Sequence, residues 1–455
     1  MSTSDVIVVG AGIGGLALAY ALEKGGLQVT VLEAGDAPGG AIRSERRDGF
    51  LLEWGANSVM PKHRIVDLAG ELGLTDELVE ADPAAKKRFV VVRDPGLQLS
   101  AAPISLAQLV STNIISGRAK LRLLLEPFVA GRCAEDESVA DFFERRFGPE
   151  FTQTISTLLN GIWAGDINSM SMRSTLPAAW DLDRTRRSVI LGLMFGKRTR
   201  PRPGGPQRLF TFRDGMQTLP RRLLQKLQKS EVVLGGAASR IELADGSATV
   251  HTTSSSYTAR VVCLATDSRN SAQLLAECVP QLSALVQSVP YAPLGILHLA
   301  FAKRDVPQPL DGFGFLAPSG PELGILGAIF SSSLFPDRAP ADTHLLTCFC
   351  GGATNPDLAD VKAPETQRRI SAEVVEILAA RGAPKVVSAT YLPRAVPNYP
   401  CGHFRLQQAV ARVNAEHHSL KLLGNWCSGI SVPDRVEEGL ALADGILETF
   451  GRKKE

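Results

Sequence analysis

Residues 10–15 read Gly10-Ala11-Gly12-Ile13-Gly14-Gly15, and what flanks them leaves few folds open. Before them, Val6-Ile7-Val8-Val9 is the β-branched apolar run of a short strand buried on both faces. After them, residues 16–24 are amphipathic and read as a helix, and Val29-Thr30-Val31-Leu32 reads as a second strand ending on Glu33, eighteen residues beyond Gly15. Strand, glycine turn, helix, strand and acid in that order form a dinucleotide-binding βαβ unit. Gly10 permits the tight turn. Gly12 lets the backbone approach a pyrophosphate seated on the helix N-terminus, and Gly15 lets helix and strand pack closely. Glu33 is placed for ribose hydroxyls. The alternative, a glycine turn with no ligand, leaves the acid unexplained.

A lone βαβ unit cannot close an α/β sheet, so the rest of the chain must complete it. With 455 residues the chain has length for two or three domains. Residues 231–267 are β-rich, residues 420–424 read as a strand, and residues 433–450 as a final helix. The nucleotide domain is therefore expected in three pieces: 1–61, 206–285 and 401–455. Residues 62–86 and 286–400, with short apolar runs between Gly and Pro, are expected to form a mixed sheet that binds substrate. Residues 87–205 pattern mostly as helices, including 106–131, 139–147, 151–159 and 175–194, and are expected to form a helical insertion. Residues 198–208 (RTRPRPGGPQR) read as a solvated boundary loop.

Composition excludes several classes. Apolar residues make up 44% and charged residues 21%, ordinary for a soluble chain, and a net charge of +2 argues against a nucleic-acid partner. No run of eighteen apolar residues occurs, so no spanning helix is expected. The first strand begins too early for a targeting segment, which makes the expected location cytoplasmic. The seven cysteines are odd in number and scattered, without C-x-x-C, and read as reduced thiols. His403, His417 and His418 lack ligand spacing to Cys348-x-Cys350, so no metal is expected.

Three features turn nucleotide into flavin. Gly39-Gly40-Ala41-Ile42-Arg43 brings amides and a guanidinium toward phosphates. Glu53-Trp54-Gly55-Ala56-Asn57-Ser58 is a second glycine turn along which a long cofactor could pass. Gly429-Ile430-Ser431-Val432-Pro433 starts a helix whose N-terminus could face the flavin. With these, the chain resembles the protoporphyrinogen oxidases, within the monoamine oxidase and phytoene desaturase superfamily, nearly end to end. Stretches specific to that family are Ala84-Ala85-Lys86-Lys87-Arg88-Phe89, Ile162-Trp163-Ala164-Gly165-Asp166, Thr211-Phe212-Arg213-Asp214-Gly215-Met216, Asp311-Gly312-Phe313-Gly314-Phe315-Leu316 and Phe335-Pro336-Asp337-Arg338-Ala339-Pro340.

The resemblance implies a fold of class α/β + α+β: a Rossmann-like, p-hydroxybenzoate hydroxylase-like FAD domain, a mixed-sheet substrate domain and a helical part that docks on membranes. FAD contacts fall on Gly10, Ala11, Gly12, Ile13, Gly14, Gly15, Glu33, Ala34, Gly40, Arg43, Gly55, Ala56, Asn57, Ser58, Ile241, Ile430, Ser431 and Val432. Where the family often has Trp beside the flavin, this chain has Leu392. Arg88 matches the family's grip on a substrate carboxylate, Gly165 a position that leaves room for a macrocycle or caps the pocket, and Leu316, Ile329 and Phe349 its apolar walls; alone, each could be ordinary surface or core. The implied reaction is six-electron oxidation of protoporphyrinogen IX to protoporphyrin IX in heme biosynthesis. It proceeds by three hydride transfers to flavin, with O2 as acceptor and H2O2 formed. No catalytic acid or base is expected from the side chains. Coproporphyrinogen III shares the ring chemistry and is an alternative substrate. A flavin amine oxidase, a carotenoid desaturase and a non-enzymatic lipid or prenyl escort are rivals on the same fold. Peripheral contact with the inner face of the cell membrane and homodimerisation are compatible with this reading.

Overall fold

In the computed structural model, residues 2–93, 96–103, 115–129, 134–195, 206, 208–318, 320 and 322–451 are described. They form a mixed α/β molecule around two seven-stranded sheets. In the first sheet, Ser2–Val9 runs parallel to Val29–Glu33 on one side and to Ser256–Leu264 on the other, Val6 lying opposite both Val29 and Val261. Glu231–Leu234 extends the parallel array beyond Val29–Glu33, and Leu420–Leu422 pairs in parallel with the C-terminal end of Ser256–Leu264. Ser247–Thr252 and Ala238–Ala244 add an antiparallel flank. Strands from three distant stretches thus complete the sheet, because none alone supplies enough neighbours.

The unbroken apolar run of the first strand has a direct cause. Val6 and Val8 face a core shared with the helices Ile13–Lys24 and Val432–Thr449, while Ile7 and Val9 face one that includes Ala272, Leu282 and Val410 from three other helices. Both faces are covered, so alternation disappears. The two helices on the first face touch backbone to backbone: a Cβ on Gly439 would lie 2.4 Å from the Gly14 carbonyl oxygen.

The second sheet runs in the order Lys385–Pro397, Tyr291–Ala302, Thr343–Gly351, Ile325–Ile329, Gly312–Leu316, Lys87–Arg93, Leu97–Ala101. It is antiparallel except where Gly312–Leu316 meets Lys87–Arg93. One face packs through Leu297, Phe315, Ala328, Cys348 and Cys350 on Ile370 and Val374 of the helix Pro364–Leu378. On the other face, Phe50 and Leu52 of the hairpin Ser44–Arg47/Phe50–Glu53 pack on Ala300, Leu345 and Val387.

The boundary expected at 86/87 falls at the start of a strand, and residues 87–101 belong to this sheet instead of the helical insertion. The helix expected over 175–194 is three pieces, Met172–Thr175, Pro177–Arg186 and Val189–Phe195. Pro177 restarts the chain at a helix N-terminus, and Arg187, at φ +56°, ends the second piece. Residues 106–114 and 130–131 of the helix expected over 106–131, and nearly all of the loop 198–208, lie outside the described residues. The helices Gly117–Leu125, Val139–Phe147 and Pro149–Trp163 are present, and Arg146 is fully buried among them against Glu126 and Asp183. No described helix is long and apolar enough to cross a membrane.

Candidate active site

Glycines at the turn answer two separate demands. Gly10 has φ +108°, and a Cβ there would lie 2.7 Å from the Ala265 carbonyl oxygen; one on Gly15 would lie 2.1 Å from the Gly10 oxygen. The fold itself needs both. Gly12 differs: a Cβ there meets nothing within 4 Å. It lines open space at the start of Ile13–Lys24, where no side chain caps the helix and no acid occupies its first turn. Exposed amide N–H groups at the positive end of a helix dipole make an anion seat.

Other glycine segments converge on this seat. The Gly39 amide donates to the Ala11 carbonyl (2.8 Å), and a Cβ on Gly40 would lie 3.5 Å from Gly12 Cα. Gly55 abuts Ala41 so closely that a Cβ would come within 2.2 Å of its oxygen. Beyond it, Ala56 leans on the first core, Asn57 donates from Nδ2 to the Gly55 carbonyl (3.2 Å), and Ser58 is half-buried. Arg43 is exposed and forms no ion pair with a described residue. Glu33 accepts from the Ala11 and Gly35 amides (2.7 and 2.8 Å), with Ala34 exposed beside it.

The helix Val432–Thr449 begins against the same turn, a Cβ on Gly14 lying 3.2 Å from the Arg435 oxygen. Ser431 caps it in a reciprocal box with Asp434, whose carboxyl is held below its ordinary range by Lys62 and Ser431 despite burial. Ile430 packs on the helical insertion. These four segments form one strip on the cofactor side. Ile241 does not join it by its side chain, which is 2% exposed and packed in the core that holds Ile7, Val9 and Leu32. The residues present fit an adenine-dinucleotide flavin: a Cβ-free seat for phosphates, an acid at the second strand, and a capped helix start at the far end.

The expected substrate walls also meet. Leu316 lies opposite Gly327, which lies opposite Phe349, which lies opposite Ile296, while Ile329 lies opposite Gly314 and Thr347 two residues away along the strands. Leu316, Ile329 and Phe349 therefore share one face of the second sheet, all half-buried. Leu392 sits with Phe349 beside Leu294 and Leu326. Leu316 is wedged against the insertion, since a Cβ on Gly161 would lie 2.2 Å from its Cδ2. Arg88 is exposed, with its guanidinium 4.8 Å above the Phe313 ring and no ion pair to a described residue. At Gly165 a Cβ would strike Met170 Sδ at 2.5 Å and Asn398 Oδ1 at 2.9 Å. Its smallness serves packing of the loop that follows Pro149–Trp163.

Two clusters escaped the sequence reading. Arg338, 3% exposed, donates to Glu53 Oε1 (2.8 Å) and Thr211 Oγ1 (2.7 Å); Ser44 Oγ and the Met216 amide complete the Glu53 carboxylate. Burial holds the Glu53 carboxyl above its ordinary range even so. Three stretches quoted above for other reasons meet here. In the second cluster, Tyr399 packs edge-on against Trp163 (4.9 Å), stacks on His403 (4.3 Å) and donates to the Asn425 carbonyl (2.5 Å), tying the Gly165 loop to the segment before Ile430. A charged residue inside an apolar stretch was the available signal for the first cluster; the second has none.

Known proteins are similar to this chain over nearly its whole length. The model of a flavin containing amine oxidoreductase matches residues 13–447. Protoporphyrinogen oxidase 2, chloroplastic/mitochondrial, of Arabidopsis thaliana is 30% identical, covering 98% of this chain and 94% of its own. Coproporphyrinogen III oxidase of Bacillus subtilis is 26% identical over 98% of both chains. A crystal structure of an Exiguobacterium sp. 255-15 protein, 24% identical, superposes with a TM-score of 0.80 over 99% of this chain and 100% of its own, which establishes the likeness of fold. The chain is an FAD-dependent oxidoreductase and belongs to the flavin-containing amine oxidoreductases, within the protoporphyrinogen oxidase family.

Proposed function

We propose that this enzyme oxidises protoporphyrinogen IX to protoporphyrin IX in heme biosynthesis, with O2 as terminal acceptor. The observation that carries the reading is the single apolar sheet face bearing Leu316, Ile329 and Phe349, with the unpaired Arg88 on the neighbouring strand of the same sheet. A flat macrocycle with carboxylate arms needs such a wall and a cation at its rim.

In this reading, Gly10–Gly15, Gly40, Arg43, Gly55–Ser58 and Ile430–Val432 hold FAD on a p-hydroxybenzoate hydroxylase-like domain drawn from 1–61, 206–285 and 401–455. Glu33 takes the ribose, by exchanging an amide of the turn for a hydroxyl. The second sheet, residues 87–101 included, holds substrate. FAD when bound supplies a two-electron acceptor that O2 can regenerate. The protein's own part is placement: Phe313 steadies Arg88 for a propionate, Gly161 and Gly327 fix Leu316, and the apolar wall excludes water from the ring. No side chain is assigned as acid or base; pyrrole protons leave to solvent.

The helix Gly117–Leu125 suggests where the enzyme resides. Leu121, Leu124, Leu125 and Phe128 follow an i, i+3, i+4, i+7 pattern and are 58%, 74%, 50% and 85% exposed, while Ala119 and Leu123 face the core. Arg118, Lys120 and Arg122 flank them, and the segment Gly117–Leu125 itself contains no Asp or Glu. We assign this stripe to peripheral contact with an anionic membrane, on the cytoplasmic face.

Purified, FAD-loaded protein assayed with protoporphyrinogen IX, coproporphyrinogen III and a primary amine tests the function. Porphyrin fluorescence should rise fastest with protoporphyrinogen IX. Faster coproporphyrin formation would transfer the activity to the tetracarboxylate; peroxide from the amine alone would refute a porphyrinogen oxidase.

A further inference from the structure

His298 is fully buried in the strand Tyr291–Ala302, yet neither Nδ1 nor Nε2 makes a hydrogen bond to any described residue. A buried imidazole left unbonded is costly, and such groups usually answer to a partner that arrives. Its place in the sheet says which. His298 lies opposite Thr347 and Ser388, in the row that continues to Ile329, on the face that carries the substrate walls. Ile296, two residues before it, packs with Phe349 and Leu392; Ala300, two residues after it, packs with Phe50 and Leu52. The ring thus sits where the hairpin Phe50–Glu53 leaves the sheet and the Gly55–Ser58 segment begins. Burial beside Arg47 and Arg338 keeps it neutral, and the Glu53 carbonyl lies near enough to oppose that effect in part without completing a bond. Trp54 Nε1, the next side chain along, is likewise buried and unbonded.

We propose that His298 is a positioning residue for the cofactor: its ring N–H closes a hydrogen bond to the Glu53 carbonyl when FAD seats, and so fixes the turn that carries Gly55–Ser58. The inference rests on the reading of Gly55–Ser58 as FAD contacts.

His298→Phe keeps the volume and removes the donor; His298→Gln keeps a donor. FAD dissociation constants, followed by quenching of flavin fluorescence, should be about tenfold weaker for H298F and within about twofold of the unmutated protein for H298Q. The bound-flavin absorption band should shift in H298F alone. FAD binding by H298F at full strength, or equal weakening in both variants, would overturn the proposal, the latter by showing that only ring shape matters. Should H298F not fold, the unmutated protein decides: imidazole nitrogen resonances of 15N-histidine protein, with that of His298 identified by its loss in H298Q, must move on adding FAD, and no movement refutes the bond. Gly12→Val separates the two readings. If it abolishes FAD binding while H298F has no effect, the cofactor site stands and the His298 role falls; if it too binds FAD fully, the site itself is misplaced.

Discussion

Gly12 and Gly15 stand three residues apart and answer to different masters. A methyl on Gly15 would press on the Gly10 carbonyl within the protein, whereas one on Gly12 would enter open space. Gly15→Ala should therefore lower the melting temperature of the apoprotein, by the equivalent of about 2 kcal/mol or more. Gly12→Ala should leave the apoprotein's melting temperature nearly unchanged and cut FAD occupancy, read as the flavin-to-protein absorbance ratio. Equal melting temperatures for the two variants would contradict the distinction. His298 makes a pH prediction. Burial depresses its pKa from 6.5 to about 4, so above pH 6.5 it costs nothing; as pH falls below 6.5 the unfolded chain takes up a proton that the native state refuses. Stability should fall by about 3 kcal/mol between pH 6.5 and 4, and denaturant titrations of H298Q should lack this component. The spacing of glycines and the acid was readable at this scale because each answers to backbone geometry nearby. The inward face of Ile241 was not readable, because a strand residue's face depends on which partners flank it, and those come from elsewhere in the chain.

At the scale of elements, helices with a marked start were readable, such as Val432–Thr449, which opens with Pro in its first turn. The residues 175–194 misled because an apolar period of 3.6 runs through Pro177 and Arg187, and only the backbone shows the breaks there. Strand parity hid the shared apolar face: nothing local to Ile329 or Phe349 says that both face away from the helix Pro364–Leu378. The helix Gly117–Leu125 supports a prediction of its own. Leu124→Glu with Phe128→Glu should reduce co-sedimentation with anionic vesicles severalfold while leaving turnover of detergent-dispersed substrate intact. Undiminished vesicle binding would remove the stripe from the membrane.

Across the whole molecule, the three-piece sheet was foreseeable, since a single βαβ unit demands neighbours, but the seam that ties the hairpin Ser44–Arg47/Phe50–Glu53 to Thr211, Met216 and Arg338 was not. That seam is the buried Arg338–Glu53 pair, whose members stand 285 positions apart, with Thr211, Ser44 and Met216. Arg338→Met leaves the Glu53 carboxylate buried without its cation and should cost about 3–5 kcal/mol. Guanidinium unfolding curves should show it, with faster amide exchange in Phe50–Glu53; a cost under about 1 kcal/mol would show the seam to be incidental. Contact between Gly14 and Gly439 has a consequence for biosynthesis. The helix that opens the chain finds its mate only after more than 400 further residues have been made, which at about 5–20 residues per second is on the order of a minute. A nascent chain must therefore keep an unfinished phosphate seat, with the apolar flank of Ile13–Lys24 uncovered, until its last helix emerges. On the proposed cofactor site, a chain that stops before residue 432 should retain no FAD, however much riboflavin is supplied.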